Sequence, residues 1–353
     1  MLGYDWLFNC GVLELMKKTF LLLLVHVSVY AQNAGRQYFS FLNLPANART
    51  VAQGGLNVSR GNSNSSFVFN NPALADSSFA RHLSLTATPF LAGSNYLALA
   101  FSPAIKTPGF WSAGFQFLNY GDLIGRDEAS NETGRFTAND YAFTVSYARS
   151  QGNFTLGTSL KLAGSGIESY RATGLLFDLG TVWRHPKKTF QIGLLAKNLG
   201  WLLRDFTSNG SASMPFDLQV GITIKPAYMP VRVSLTAHHL HDFDIVFNDP
   251  AVYFSFDNNG IKIPRGVRLP EKIARHLVLS AELLIHKNMN ILLGYNHLRR
   301  QELLVQNIGG TAGLSFGAVF VTSKYSLTYA RGQYHQAGGA NSISFGFNLN
   351  KKH

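Results

Sequence analysis

Cysteine is all but missing from this sequence: Cys10 is the single one in 353 residues, and it falls in a segment that processing is expected to remove. A mature chain without thiols forms neither a disulfide nor a thiolate metal site, which excludes zinc-finger and cysteine-nucleophile chemistry. Charge is also scarce. Asp, Glu, Lys and Arg together make up 14% of the chain, against roughly a quarter in ordinary soluble domains. Past the N-terminus no apolar run approaches the ~20 residues that a spanning helix needs, so a helical membrane protein is excluded.

What is present in quantity is aromatic side chain and glycine, with 27 Phe, 14 Tyr and 33 Gly, at a mean hydropathy of only +0.03. A sheet with one face in lipid and the other in water averages two solvents in this way. The formal net charge is +12. The basic residues are scattered through turns and loops without interleaved aromatics, a pattern that suits anionic lipid headgroups and argues against nucleic acid.

Residues 1–31 read as a secretory signal peptide. Met16-Lys17-Lys18 supplies the basic start, Thr19 to Val29 the apolar stretch, and Val29 and Ala31 the small residues before cleavage. Met16 is the better start, because residues 1–15 carry neither targeting nor fold pattern.

From residue 82 to the end, 353, short segments alternate apolar and polar residues, as in His82-Leu83-Ser84-Leu85-Thr86-Ala87 and Asn341-Ser342-Ile343-Ser344-Phe345-Gly346-Phe347. Period two means strands. Fourteen candidates fall at 82–90, 95–103, 109–119, 139–149, 153–163, 172–184, 189–199, 214–225, 231–240, 275–286, 289–298, 310–322, 325–332 and 341–349. The connections between them alternate in length. Short ones (102–108, 149–153, 184–188, 225–230, 286–289, 322–325) separate long ones (120–138, 164–171, 200–214, 241–274, 299–309, 332–340), and only 90–94 breaks the rhythm. An outer-membrane barrel has this two-sided pattern, with short turns at one rim and long loops at the other. The expected fold is all-β: a fourteen-stranded antiparallel transmembrane barrel, closed because an open edge in hydrocarbon leaves backbone groups unpaired. Within 153–163, Phe154 and Leu156 are expected to face lipid and Thr155, Gly157 and Ser159 the interior, with a slip near Ser159 that would mark a bulge. Tyr96, Trp111, Trp183, Trp201 and Tyr325 lie near strand ends, where amphipathic rings favour the membrane interface.

Residues 32–81 lack sustained alternation and are rich in Asn, Ser and small residues, but Phe67, Phe69, Leu74 and Phe79 give them apolar anchors. They read as a hatch packed inside the barrel. Three pieces carry a resemblance: Ser40-Phe41-Leu42-Asn43-Leu44-Pro45, then Ala48-Arg49-Thr50-Val51-Ala52-Gln53-Gly54-Gly55, then Phe69-Asn70-Asn71-Pro72-Ala73-Leu74. This order of small-residue, glycine and Asn-Pro-Ala elements ahead of fourteen strands resembles the FadL-type barrel family, and the Phe-Leu-Asn-Leu-Pro opening resembles its PorQ-like members in the type IX secretion system of Bacteroidetes. Asn43, Pro45, Gly54, Gly55, Asn71, Pro72 and Ala73 are the hatch positions that the likeness carries over.

The resemblance implies a non-catalytic barrel that holds a PorZ-like surface protein, in an attachment complex with PorU and PorV that fixes cargo to anionic lipopolysaccharide. It names no partner-contact residue. The residues themselves offer the long connection 241–274, where Asp242, Phe243, Asp244, Phe247, Tyr253, Phe254 and Phe256 set aromatics among charges. That is either a protein-binding surface or a loop folded over the barrel mouth. The class rival is a FadL-like transporter of hydrophobic compounds, for which a kinked strand with an apolar lumen would speak. A third reading is an enzyme located at the rim.

No cofactor is expected, since Gly164-Ser165-Gly166 and Gly309-Gly310 precede no predicted helix and so form no phosphate cradle. A Gly-x-Ser-x-Gly nucleophile elbow is also missing. His238-His239-Leu240-His241-Asp242 with Asp244 has metal-binding residue types. However, His239 and His241 share only one strand face, and two ligands on one strand do not make a site.

Overall fold

The computed structural model describes residues 37–60, 64–76, 79–90, 93–187, 189–206, 213–245, 254–256, 262–264, 267–303, 310–335 and 338–349. The signal-peptide segment, with Phe247 and Tyr253, lies outside them. Described residues hold the strands β1 His82–Pro89, β2 Asn95–Ser102, β3 Phe110–Arg126, β4 Glu132–Gln151, β5 Phe154–Ile167, β6 Tyr170–Arg184, β7 Phe190–Arg204, β8 Asp217–Ile224 and β9 Val231–Ala237. A small hairpin of β10 Phe254–Phe256 and β11 Lys262–Pro264 stands apart. The wall then resumes with β12 Leu277–His286, β13 Met289–Asn296, β14 Leu314–Val321, β15 Tyr325–His335 and β16 Gly338–Asn348.

Each wall strand pairs with its chain neighbours, β9 with β12, and β1 returns to β16 with His82 opposite Asn348, so the fourteen strands close into an antiparallel barrel. Alternation sets the faces. In β2, Leu97, Leu99 and Phe101 point outward and exposed, while Tyr96, Ala98, Ala100 and Ser102 point inward and buried. In β16, Ile343, Phe345 and Phe347 point out, against Ser342, Ser344 and Gly346 within. The lipid-facing surface is thus apolar and the inward one small or polar, as a bilayer demands.

Three expectations change. Alternation runs unbroken through Ser159: β5 pairs with β4 and β6 without a register shift, because Thr158 faces out and Lys161 faces in. The connections 120–138 and 164–171 are largely strand, since the β3–β4 and β5–β6 hairpins continue beyond the bilayer-facing zone, the former across an irregularity at Asn119–Asp122. Tyr96 is an interior side chain whose hydroxyl accepts a hydrogen bond from Gln116 Nε2 at 2.7 Å, whereas Trp111, Trp201 and Tyr325 are exposed.

Residues 37–60 and 64–76 fill the interior. Gln37 bridges to Ser213 at the long-loop rim. A one-turn 3-10 segment, Ser40–Asn43, leads into the helix α1 Ala48–Ala52, capped by the Asn47 side chain on the Arg49 amide at 2.8 Å. Two more 3-10 turns follow, Ser65–Phe69 and Pro72–Leu74, before the chain reaches β1 at the opposite rim. Val51, Ala52, Phe67, Val68 and Ala73 are wholly buried against the wall.

Candidate functional site

The interior is locked by buried charge. Arg49 of α1 pairs with Glu282 of β12, and Arg232 of β9 takes the other carboxylate oxygen. Asn290 Nδ2 adds a bond of 2.8 Å to Glu282. Both Arg49 and Glu282 are almost fully buried, so each charge depends on its partner. A second cluster centres on Asp178 of β6, which pairs with Lys161 of β5 at 2.6 Å and accepts from the Asn198 amide at 2.8 Å. The Lys161 ammonium also donates to Asn198 Oδ1 at 2.8 Å, and Lys197 donates to the carbonyl of Leu42 in the hatch at 2.9 Å.

Lys197 and Asn198 are the two residues of a bulge. Phe177 faces Leu199 and Leu179 faces Ala196, so Asp178 opposes both, and Asn198 takes a left-handed φ of 59°. The bulge bends the strand here, and the adjoining sector of the lumen is lined mainly by apolar side chains, with Gln116, Asp140 and Ser165 hydrogen-bonded among them. Inward positions Ala98, Ala100, Leu118, Ala142, Ala163 and Leu176 carry no polar group. The hatch packs Phe39, Phe41, Leu42, Val68 and Phe69 on them, and the sector continues to Tyr120, Leu202, Phe206 and Met214. Elsewhere the wall interior mixes Ser, Thr, Gln and buried charges with apolar positions such as Val182, Leu195, Leu292 and Val319. A cavity of about 10 Å³ between hatch and wall, lined by Asn43, Pro45, Gly55, Asn57, Lys197 and Gln219, has room for roughly one water.

The structure brings the hatch residues together inside the barrel. Asn43 Oδ1 accepts from Asn198 Nδ2 at 3.3 Å. Gly54 and Gly55 both have positive φ, 87° and 98°, and a Cβ on Gly294 would strike the Gly54 amide. Asn71 caps the Pro72–Leu74 turn, accepting from Ala73 N at 3.0 Å and donating to the Val58 carbonyl at 2.9 Å. Opposite stand Gly157 and Gly180, where side chains would collide with Ala73 and Asn71.

At the long-loop rim the described part of 241–274 is folded in part and exposed in part. Phe243 is 55% exposed and stacks on His276 at 5.8 Å, and Asp244 pairs with Lys272 at 2.8 Å. Lys272 belongs to the helix α2 Leu269–Arg275, which packs on α3 His297–Glu302 through Glu271 and His297 at 3.1 Å. Burial raises the Glu271 carboxyl, but hydrogen bonds from His297 and Arg275 and their nearby charges outweigh it and hold the group below the ordinary glutamate range. Sequence reasoning missed the third member of the histidine group: Asp217, at the start of β8, faces His239 and His241, and the ligand atoms of the three lie within 4.8 Å of one another.

A closed fourteen-stranded barrel, apolar outside and filled by its own N-terminal segment, defines this chain as a barrel of the outer-membrane type. The solved structures it is similar to include the Pseudomonas putida toluene transporter TodX, at a TM-score of 0.51 and 11% identity over 88% of this chain and 100% of that one. Two TodX variants, described as monoaromatic hydrocarbon channels, give TM-scores of 0.55 and 0.54 at 12% and 11% identity, over 87% and 90% of this chain and 100% of each of theirs. At such identities the likeness shows the fold. No family model and no curated protein matches the chain.

Proposed function

We propose that the protein is a hatch-gated outer-membrane channel for small hydrophobic compounds. The observation that carries this reading is the bulge at Lys197–Asn198 beside an apolar lumen sector that continues to the long-loop rim. A water-filled pore has no use for Ala, Leu and Phe on its inner surface, whereas a hydrophobic solute gains about 25 cal/mol for each Å² of apolar area it buries there. The kink loosens strand pairing next to this sector, which gives the solute a way out between strands. TodX has the same fold and is described as a toluene transporter. Non-catalytic passage follows, with Lys197 and Asn43 as the hatch contacts beside the exit.

A second reading is the docking barrel implied by the type IX resemblance, with a PorZ-like protein seated on the long-loop rim. The buried Arg49–Glu282–Arg232 lock favours it, because a permanently shut lumen leaves the rim as the working surface. One experiment separates the two. The full-length protein is expressed in an outer membrane lacking comparable channels, and uptake of radiolabelled toluene is measured alongside a tagged pull-down from its native membrane. Channel function predicts severalfold faster uptake, returned to background on deletion of Asn198, which straightens β7. Background uptake together with a stoichiometric surface protein in the pull-down would replace this reading with docking.

A further inference from the structure

We propose that Asp217, His239 and His241 form a binding site for a divalent transition-metal ion at the long-loop rim. Asp217 opens β8, and the two histidines follow the end of β9, so the third ligand comes from a neighbouring strand that the sequence does not place there. The chain is built to aim them. Past Val220 opposite Ala237, the β8–β9 pairing slips by one residue, and the Leu240 amide bonds the Leu218 carbonyl at 3.1 Å. The slip is absorbed by His239, whose φ of 54° lies in the left-handed region. A non-glycine residue seldom adopts this conformation, and such positions cluster at functional sites.

The carboxylate is held in place. Asp217 Oδ1 accepts from the His239 amide at 2.6 Å and Oδ2 from Gln219 Nε2 at 2.5 Å, as second contacts orient a ligand around a metal. The imidazoles are set, and that of His241 is unsatisfied. His241 packs edge-on against Phe216 at 4.8 Å, and its Nδ1 is buried with no hydrogen-bond partner. His239 Nδ1 already lies against this carboxylate, 3.2 Å from Asp217 Oδ1. Two imidazoles and a carboxylate with ligand atoms within 4.8 Å of one another are a zinc-type donor set. Tetrahedral zinc sets its ligand atoms roughly 3.4 Å apart, so side-chain rotations of the order of 1 Å close the site and leave a fourth position for water.

The test is a zinc titration against a competing chromophoric chelator, on the detergent-purified full chain without a histidine tag. Expected are one zinc per chain with micromolar or tighter affinity and a tenfold or greater weakening in both His241→Ala and Asp217→Asn. His286→Ala, at the short-turn rim, leaves binding unchanged. Cobalt(II) reports the same site by visible ligand-field bands that His241→Ala abolishes. Retention of the heat-dependent gel shift of a folded barrel shows that each variant is intact. Binding weaker than about 100 μM, or full binding by His241→Ala, overturns the proposal.

Discussion

Gly180 shows how little room one residue has in this interior. Its missing side chain is the space taken by the Asn71 carbonyl oxygen, and Asn71 in turn fixes the Pro72–Leu74 turn and the Val58 backbone. Gly180→Ala is therefore expected to lower stability by about 1–3 kcal/mol, the usual cost of overpacking, read as a lower midpoint of thermal unfolding in detergent. Combined with Asn71→Ala, it should cost clearly less than the two single changes summed, since one removes what the other collides with. This residue logic was only half legible in the sequence. Asn71-Pro72-Ala73 stood out as a motif, but nothing local marks Gly180 and Gly157 as its counterparts. The same holds for Asp217, twenty-two residues before His239: the two histidines, expected on one strand face, follow the end of β9, and the fold brings the carboxylate to them from the start of β8.

Among elements, the strands were the legible part because period two is imposed by lipid on every wall strand. The hairpin extensions were not, since beyond the bilayer both faces of a strand meet water: Asp122-Leu123-Ile124-Gly125-Arg126 continues β3 without one face being buried. The helices α2 and α3 escaped for a different reason, being short rim elements held by each other. Their link carries a pH dependence. Glu271 is held below the ordinary glutamate range, so its stabilisation is complete above the unfolded value of about 4.3 and is lost as the pH falls through the lowered folded value. Hydrogen exchange over residues 268–276 is expected to lose protection on going from pH 6 to pH 3, relative to a Glu271→Gln chain, which should show no such step. An equal loss in both would remove Glu271 as the cause.

For the molecule as a whole, barrel and hatch are joined by apolar packing, hydrogen bonds and one buried ion-pair cluster. Glu282→Ala removes the carboxylate that Arg49 and Arg232 share, a change expected to cost about 3–5 kcal/mol, whereas Glu132→Ala at the exposed Arg126 pair should cost no more than about 1 kcal/mol. The expected phenotype is selective: earlier exposure of hatch residues to protease on heating, with the gel shift of the closed barrel retained. Simultaneous loss of both would mean that the wall depends on its filling. The seam between β1 and β16 makes the order of assembly matter. His82 and Asn348 stand opposite each other across the seam although nearly the whole wall lies between them in the chain, so this contact comes late, after the local hairpins. The hatch touches strands around the circumference and reaches from one rim to the other, and it is the first part of the described chain to be made. It has to be enclosed while the seam is still open, so each molecule has one moment in which to take in its filling.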